Sequence, residues 1–304
     1  MKIAILFAGQ GSQYPGMGKS LYENLGCVRK VLDLLEQIRP GTLKMCFQGT
    51  PADLALTANT QPCIFAVDIA AALALREREI TPVALAGFSL GEIPALGFSG
   101  ALSIEDAFKL VNYRAQLMEK AANEVNGAMA AVLKLDNDII CEICSQVGNV
   151  MPANFNSPGQ CVISGLADAV DRAIKLAMDA GGRAIKLPVS GAFHSPYMKS
   201  AAEKFYEHLI SIKFSPAEYE LYSNVTADKY GDDYAYLLSQ QIVSPVRWEE
   251  TILNMHAKGI DVFIEAGPGK TLSGLVKRIL PGSTVLYVED MESLNSTVKF
   301  LEGT

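Results

Sequence analysis

The sequence predicts an α/β fold in which a mostly parallel sheet, covered by helices on both faces, is interrupted by a smaller inserted unit. Short apolar runs alternate with long helical patterns over most of the 304 residues. Strands that are apolar on both faces and separated by helices are typical of parallel sheets buried between helical layers. The stretch 127–195 has a different rhythm, which indicates the insertion.

The larger domain is predicted over 1–126 and 196–304. Its candidate strands are short and β-branched or apolar, at 2–8, 82–88, 219–225, 260–265 and 284–288. Its candidate helices carry apolar residues at helical spacing, at 18–38, 61–78, 103–123, 198–211, 246–258, 270–280 and 291–301. This alternation favours a parallel sheet built from strand–helix–strand units.

The insertion over 127–195 contains four strand patterns and two helix patterns. In order these are AMAAVLKL (strand), DNDIICEICSQV (helix), NVMPANF and QCVISGL (strands), ADAVDRAIKLAMDAG (helix) and RAIKLPV (strand). The order βαββαβ predicts a ferredoxin-like subdomain.

Composition narrows the class of protein. Hydrophobic residues make up 49% of the chain and the net charge is −7, so we expect a folded core and no binding to nucleic acid or to a membrane surface. The apolar run 62–75 contains Asp68, which argues against a membrane span. We expect a cytoplasmic protein, because the six cysteines are scattered as in a reduced protein. We also expect a monomer.

No metal or cofactor is predicted. The one cysteine pair with metal-like spacing, Cys141 and Cys144, lies in a helix pattern and lacks a second ligand pair. Two glycine-rich turns resemble nucleotide loops, but Tyr14 and Ile264 stand where the dinucleotide and phosphate-loop patterns need glycine. Both turns are better interpreted as tight connections, one of which could lend main-chain N–H groups to a site.

The segment Gly87-Phe88-Ser89-Leu90-Gly91 matches G-x-S-x-G between a strand and a helix pattern. A sharp turn there exposes the serine hydroxyl at the sheet edge, and the helix N-terminus directs N–H groups at a developing oxyanion. A structural turn is the alternative. We favour Ser89 as a nucleophile.

Two further residues fit a site around Ser89. His194 lies in a short loop at the predicted domain junction, whereas His208 and His256 lie in polar helix patterns; we favour His194 as the general base. Arg114 lies on or beside the apolar face of the helix 103–123. It is either a structural cation or a clamp for a substrate carboxylate.

These residues resemble the acyltransferase family of fatty-acid and polyketide synthases, which includes malonyl-CoA:acyl-carrier-protein transacylases. The resemblance spans nearly the whole chain. Its motifs are FAGQGSQ (7–13), GFSLGE (87–92), YR (113–114), GAFHS (191–195), SPVRW (244–248) and EAGPGK (265–270).

The resemblance implies a hydrolase-like α/β domain with a ferredoxin-like insertion. It implies transfer of a malonyl group from malonyl-CoA to the phosphopantetheine thiol of an acyl carrier protein, without a cofactor. Ser89 would be the nucleophile, His194 the base and Arg114 the partner of the malonyl carboxylate. The N–H groups of Gln10 and Leu90 would form the oxyanion hole. The carbonyl that orients the histidine lies in the segment 245–248, and we select Arg247.

Two residues depart from the family pattern, and one of them concerns the acyl pocket. Phe88 stands where relatives usually have histidine, so acyl selectivity is open, and Ala8 replaces a frequent proline. Phe193, before His194, resembles the malonyl-selecting form of its motif. A thioesterase-like hydrolase and a non-catalytic carrier-binding scaffold remain alternatives, and Arg114 argues against the hydrolase.

Overall fold

The computed structural model describes residues 1–189 and 191–303. By their contacts these residues form two compact units. The first unit contains residues 1–115, 214–223 and 254 to the end of the described chain. The second unit contains residues 116–213 and 224–253.

The described residues form nine strands and fourteen helices. The strands are β1 (Ile3–Phe7), β2 (Ala84–Gly87), β3 (Gly127–Leu133), β4 (Val150–Ser157), β5 (Gln160–Leu166), β6 (Arg183–Lys186), β7 (Glu220–Tyr222), β8 (Val262–Ala266) and β9 (Thr284–Val288). The helices are α1 (Lys19–Asn24), α2 (Gly26–Ile38), α3 (Thr42–Gln48), α4 (Pro51–Ala55), α5 (Thr57–Glu77), α6 (Glu92–Phe98), α7 (Ile104–Ala122), α8 (Asn137–Val147), α9 (Ala167–Asp179), α10 (Lys199–Leu209), α11 (Tyr234–Gln241), α12 (Trp248–Ala257), α13 (Thr271–Ile279) and α14 (Met291–Glu302).

The first unit is built on a parallel sheet with the strand order β7-β2-β1-β8-β9. All of its strand pairs are parallel, and the central strand β1 is buried from Ala4 to Phe7. Continuous burial explains why this strand is apolar at successive positions instead of alternating. The predicted fold class is confirmed, and each of the five predicted strands is present.

Helix α5 lies in the core of the first unit. It is apolar around its circumference, and its residues from Thr60 to Leu75 are buried, as expected for a helix enclosed by protein on all sides. Among the described residues it is the one helix long and apolar enough to cross a membrane, and most of it is buried inside the protein.

The second unit contains an antiparallel sheet in the order β4-β5-β3-β6, which is the ferredoxin-like order. Helices α8 and α9 cover one face of this sheet, and their apolar residues share a core with β3 and β5. The segment around Val246 extends the β4 edge: Phe155 N donates to Val246 O at 2.9 Å, and Val246 N donates to Ala153 O at 2.8 Å. The unit is larger than the predicted insertion 127–195, because it also contains α10 and α11.

Helix boundaries differ from the predictions near extended residues and prolines. The predicted helix 18–38 divides into α1 and α2 because Leu25 is extended, with φ −116° and ψ 119°. Helix α5 begins at Thr57, before Pro62. A proline leaves the carbonyl four residues earlier without its helical donor, and Arg39 Nη2 donates to that Ala58 carbonyl at 3.2 Å. Helices α3, α4 and α11 were not predicted.

Neighbouring isoleucines in α8 test whether the ferredoxin-like core stabilises the fold. Ile140 is 1% exposed in this core and Ile139 is 38% exposed. We expect Ile140→Ala to lower the free energy of unfolding by about 2–4 kcal/mol, because it leaves a cavity. The matched change Ile139→Ala should alter it by less than about 1 kcal/mol. Urea denaturation of both variants gives the comparison, and equal losses would contradict this packing.

Candidate active site

Ser89 lies on a sharp turn between β2 and α6, at the carboxyl end of the parallel sheet. Its φ of 53° is in the left-handed region, which non-glycine residues adopt mainly at strained, functional positions. A Cβ at Gly87 would overlap the Gly91 main chain, and a Cβ at Gly91 would overlap the Phe7 carbonyl. Both glycines are therefore required sterically, and the turn has the shape of a nucleophile elbow.

A second turn lies beside this elbow, because β1 pairs with β2 up to Phe7 and Gly87. Within it, Ser12 Oγ donates to Gly9 O at 2.7 Å, and Gly11 N donates to Gln13 Oε1 at 2.8 Å. In the described part of the chain, the main-chain N–H of Gln10 has no acceptor. The turn thus presents a free N–H at the sheet edge that carries Ser89.

The elbow itself supplies a second N–H group. Leu90 lies in the 3-10 turn Ser89–Gly91 that leads into α6, and the first N–H groups of a helical segment have no partner within it. Leu90 also packs with Ala8 and Ile64 in a small buried cluster, which holds the two turns together. Gln10 and Leu90 can therefore provide the two donors that an oxyanion needs.

Arg114 projects from α7 into the buried interior of the first unit and is 1% exposed. Its Nη2 donates to Ser89 Oγ at 3.1 Å. Its Nη1 donates to Gln61 Oε1 at 2.8 Å. Both of these partners are neutral. The guanidinium is thus held next to the serine, where a carboxylate could engage it in a charge-assisted, bidentate hydrogen bond.

Phe88 lies between the two turns. Its main-chain N–H donates to Phe7 O at 3.0 Å, and its ring is close to Gly9, where an added Cβ would come within 2.8 Å of Phe88 Cδ1. The side chain is half-buried. An aromatic ring thus stands next to Ser89 at the position that the family resemblance assigns to the acyl pocket.

His194 lies in the second unit, and its φ of 57° is also left-handed. Its Nδ1 is 2.8 Å from the main-chain carbonyl of Gln241, the last residue of α11. Because a carbonyl only accepts, Nδ1 carries the proton and Nε2 is the acceptor nitrogen of the ring. The contact also sets the imidazole at the negative end of α11, which stabilises a positive charge on the ring.

The orienting carbonyl is that of Gln241, and the selection of Arg247 was wrong. The Arg247 carbonyl accepts from Thr251 N at 2.9 Å and from Thr251 Oγ1 at 2.8 Å, in the first turn of α12. Its guanidinium forms hydrogen bonds of 2.8 and 2.6 Å with the Glu250 carboxylate. Arg247 therefore stabilises the start of α12.

Phe193 is 7% exposed, and its ring lies against Gly191, where an added Cβ would approach Phe193 Cζ within 2.8 Å and Ala122 Cβ within 2.9 Å. After His194, Ser195 begins a 3-10 turn, in which its hydroxyl accepts from Tyr197 N at 3.3 Å. The loop before α10 is thus stabilised by the packing of Phe193 before His194 and by the Ser195 N-cap after it.

The glycine turn at 267–269 has a structural partner rather than a phosphate. Glu265 on β8 accepts from Leu272 N at 2.9 Å and from Ser273 N at 2.7 Å, so its carboxylate occupies the N-terminus of α13. Burial raises the pKa of Glu265, and these two N–H groups oppose the rise. Among the described residues, no group of three or more His, Cys, Asp or Glu side chains is placed to hold a metal ion.

Comparison with known proteins agrees with this fold. The model of the acyl transferase domain family matches residues 5–296. The chain therefore belongs to the acyl transferase domain family, and it is an acyltransferase.

Individual relatives and solved structures show which kind of acyltransferase the chain is similar to. A protein of Bacillus subtilis (strain 168) named malonyl CoA-acyl carrier protein transacylase is 42% identical over 99% of this chain and 98% of its own length. The crystal structure of the transacylase of that name from Clostridium perfringens has a TM-score of 0.95 at 40% identity, covering 100% of this chain and 98% of that one. A second structure, a type II PKS acyl-carrier protein in complex with its malonyl-transacylase, has a TM-score of 0.95 at 34% identity, covering 99% of this chain and 100% of that one.

Two residues of the site were not found from the sequence. Gln61 contacts Arg114 across 53 residues of chain, and its one local signal is a polar side chain at the start of an apolar helical run. Gln241 acts through its main chain, so its side chain gives no signal.

The glycine of the elbow gives a direct test of this geometry. We expect Gly87→Ala to abolish acyl transfer and to lower the melting temperature, because its Cβ would overlap the Gly91 main chain. Gly274→Ala is the matched control, since no atom lies within 4 Å of its Cβ position in α13; alanine there should leave activity unchanged. Transfer assays and thermal denaturation compare the two, and a fully active Gly87→Ala would disprove the elbow.

Proposed function

We propose that this protein transfers a malonyl group from malonyl-CoA to the phosphopantetheine thiol of an acyl carrier protein, through a covalent ester on Ser89. The observation that carries the proposal is the buried Arg114 guanidinium, 3.1 Å from Ser89 Oγ at the elbow. A permanent cation beside a nucleophile suits an acyl group that ends in a free carboxylate. The names of the relatives support the same substrates.

The first half-reaction forms the ester. His194 Nε2 accepts the proton of Ser89 while Oγ attacks the thioester carbonyl carbon of malonyl-CoA. The N–H groups of Gln10 and Leu90 stabilise the negative charge on the carbonyl oxygen. The C–S bond then breaks, and the proton on His194 passes to the departing sulfur of CoA.

The second half-reaction reverses these roles. His194 takes the proton of the carrier thiol, and the sulfur attacks the ester carbonyl. The ester bond breaks, Ser89 regains its proton, and malonyl-carrier leaves. Because the imidazole is held by the Gln241 carbonyl, the cycle needs no triad aspartate, and we propose that it needs no cofactor.

Substrate choice is assigned to Arg114, Phe88 and Phe193. Arg114 would bind the malonyl carboxylate while Gln61 keeps the guanidinium in place. Phe88 and Phe193 would line the space for the acyl chain. Phe193 is buried, which would limit the size of any branch on the acyl group.

The carrier protein is acidic as a class, so it needs a local basic surface on this acidic chain. The candidates are Lys270, Lys277 and Arg278, of which the last two lie in the last turn of α13. Lys270 Nζ is 4.0 Å from the centre of the Tyr287 ring.

We propose a cytoplasmic monomer that serves fatty-acid or polyketide synthesis and binds neither nucleic acid nor membrane, with 127–195 as its ferredoxin-like subdomain. The six cysteines are unpaired, which supports a reducing compartment.

Mass spectrometry of the intact protein tests the mechanism. After incubation with malonyl-CoA we expect one malonyl adduct on the wild type and none on Ser89→Ala. His194→Gln should form it at least about 100-fold more slowly, since general-base catalysis contributes 10²–10⁴-fold. His208→Gln, an exposed histidine in α10, is the matched control and should load normally.

Adding holo-carrier protein separates the alternatives. The proposal requires that the adduct persists without carrier and moves to the carrier thiol when it is added. Rapid loss of the adduct to water alone would instead identify a hydrolase. Binding of carrier with no adduct at any stage would identify a non-catalytic scaffold.

Acyl selectivity tests the role of Arg114. We expect Arg114→Ala to slow malonyl loading about 10- to 100-fold, the range for losing a hydrogen bond to a charged group, and acetyl loading less than about threefold. Gln61→Ala should give a smaller loss with the same selectivity. Arg172→Ala, an exposed arginine in α9, is the control. Equal losses of malonyl and acetyl loading would exclude a carboxylate clamp.

A further inference from the structure

Asp68 is an acidic residue in the middle of the buried helix α5, and the proposed reaction does not use it. It is 0% exposed. Neither of its carboxyl oxygens has a hydrogen-bond partner among the described residues. A buried polar group without such a partner is unfavourable for stability, so its presence in the core calls for an explanation.

The carboxyl group lies under the turn that carries Gln10. A Cβ at Gly267 would overlap Asp68 Oδ1 and would come within 2.9 Å of Ala8 Cβ, so Asp68, Ala8 and Gly267 pack closely against one another. The Ala8 N–H faces the carboxyl group, outside hydrogen-bond geometry. Asp68 thus contacts the ends of two neighbouring strands, β1 and β8, which pair up to Phe7 and Ala266.

The same face of α5 also supports the serine elbow. Ile64 precedes Asp68 by four residues, about one helical turn, and packs with Ala8 and Leu90. Ile64 and Asp68 therefore lie beneath the segments that present the N–H groups of Gln10 and Leu90. A shift of α5 at Asp68 would be transmitted to the oxyanion donors.

The charge state of Asp68 fits a packing role. Burial raises the pKa of Asp68 well above its usual range, and the negative charge of Glu265 on β8 raises it further, while the Ala8 N–H opposes the rise. Burial and Glu265 thus both favour the uncharged form, in which the group fills space without repelling Glu265 or a developing oxyanion.

From this geometry we propose that Asp68 is a positioning residue, whose carboxyl group, packed between Ala8 and Gly267, fixes the Ala8–Gln10 turn for oxyanion binding. The inference rests on the proposed function, because it assumes that Gln10 N–H is an oxyanion donor. An oxyanion donor acts in the transition state and contributes little to binding of the ground state. Loosening it should therefore lower kcat and leave KM unchanged.

The test compares three variants of the full chain by steady-state malonyl transfer. Asp68→Ala removes the contact with Gly267 and Ala8. We expect kcat to fall about tenfold, which is less than the 10²–10³-fold fall on complete removal of an oxyanion donor. The KM for malonyl-CoA should stay within about twofold of the wild-type value. Asp68→Asn keeps the shape without the acid and should retain more than half of the wild-type kcat. Leu73→Ala makes a cavity elsewhere in α5, where Leu73 is 4% exposed; it should lower the melting temperature with kcat unchanged.

Rates are expressed per active site, counted from the malonyl adduct, so that a poorly folded fraction does not lower kcat. If Asp68→Ala does not fold, Asp68→Ser replaces it with the same expectation. A kcat within twofold of wild type in the truncated variant, a loss matched by Leu73→Ala, or a loss in Asp68→Asn as large as in the truncated variant would each overturn the inference. Absence of a malonyl adduct on the wild type would instead overturn the proposed function.

Discussion

The close approach of Gly87 to Gly91 is the constraint on which the site depends. With no Cβ at either position, β2 can turn directly into a helix while Gly91 lies against the Phe7 carbonyl of the neighbouring strand. This turn leaves Ser89 in a left-handed conformation at the end of the sheet. The surrounding buried parallel sheet supplies the rigidity that keeps the strained residue in place.

Around this turn, the first unit contains a cation, Arg114, and the main-chain turn at Gln10. Arg114 contacts Ser89 and Gln61 within hydrogen-bond distance, and the Gln10 turn lies on the adjacent strand. In the second unit, the tautomer of His194 is set by the main-chain carbonyl of Gln241 at the end of α11. In the proposed mechanism this main-chain acceptor would take the orienting role that an aspartate has in a Ser-His-Asp triad.

Glu265 and Asp68 are both buried acids in the first unit, but their carboxyl groups have different surroundings. Glu265 is a buried carboxyl group compensated by two N–H groups at the start of α13. Asp68, on the opposing helix, has no such compensation within the described chain. Its contact with Ala8 and Gly267, at the ends of β1 and β8, is the basis of the positioning role proposed for it.

The sequence by itself predicted the strands, the ferredoxin-like order, and Ser89, Arg114 and His194 as candidate site residues, because periodicity, glycine spacing and motif order are local properties of the chain. Only the tertiary structure decided which groups support them. Gln61 lies 53 residues from Arg114, and the carbonyls of Gln241 and Arg247 are chemically identical along the chain. Which carbonyl faces the imidazole depends on where each helix begins and ends: α12 engages the Arg247 carbonyl in its first turn, whereas α11 ends at Gln241 and leaves its carbonyl to accept from His194.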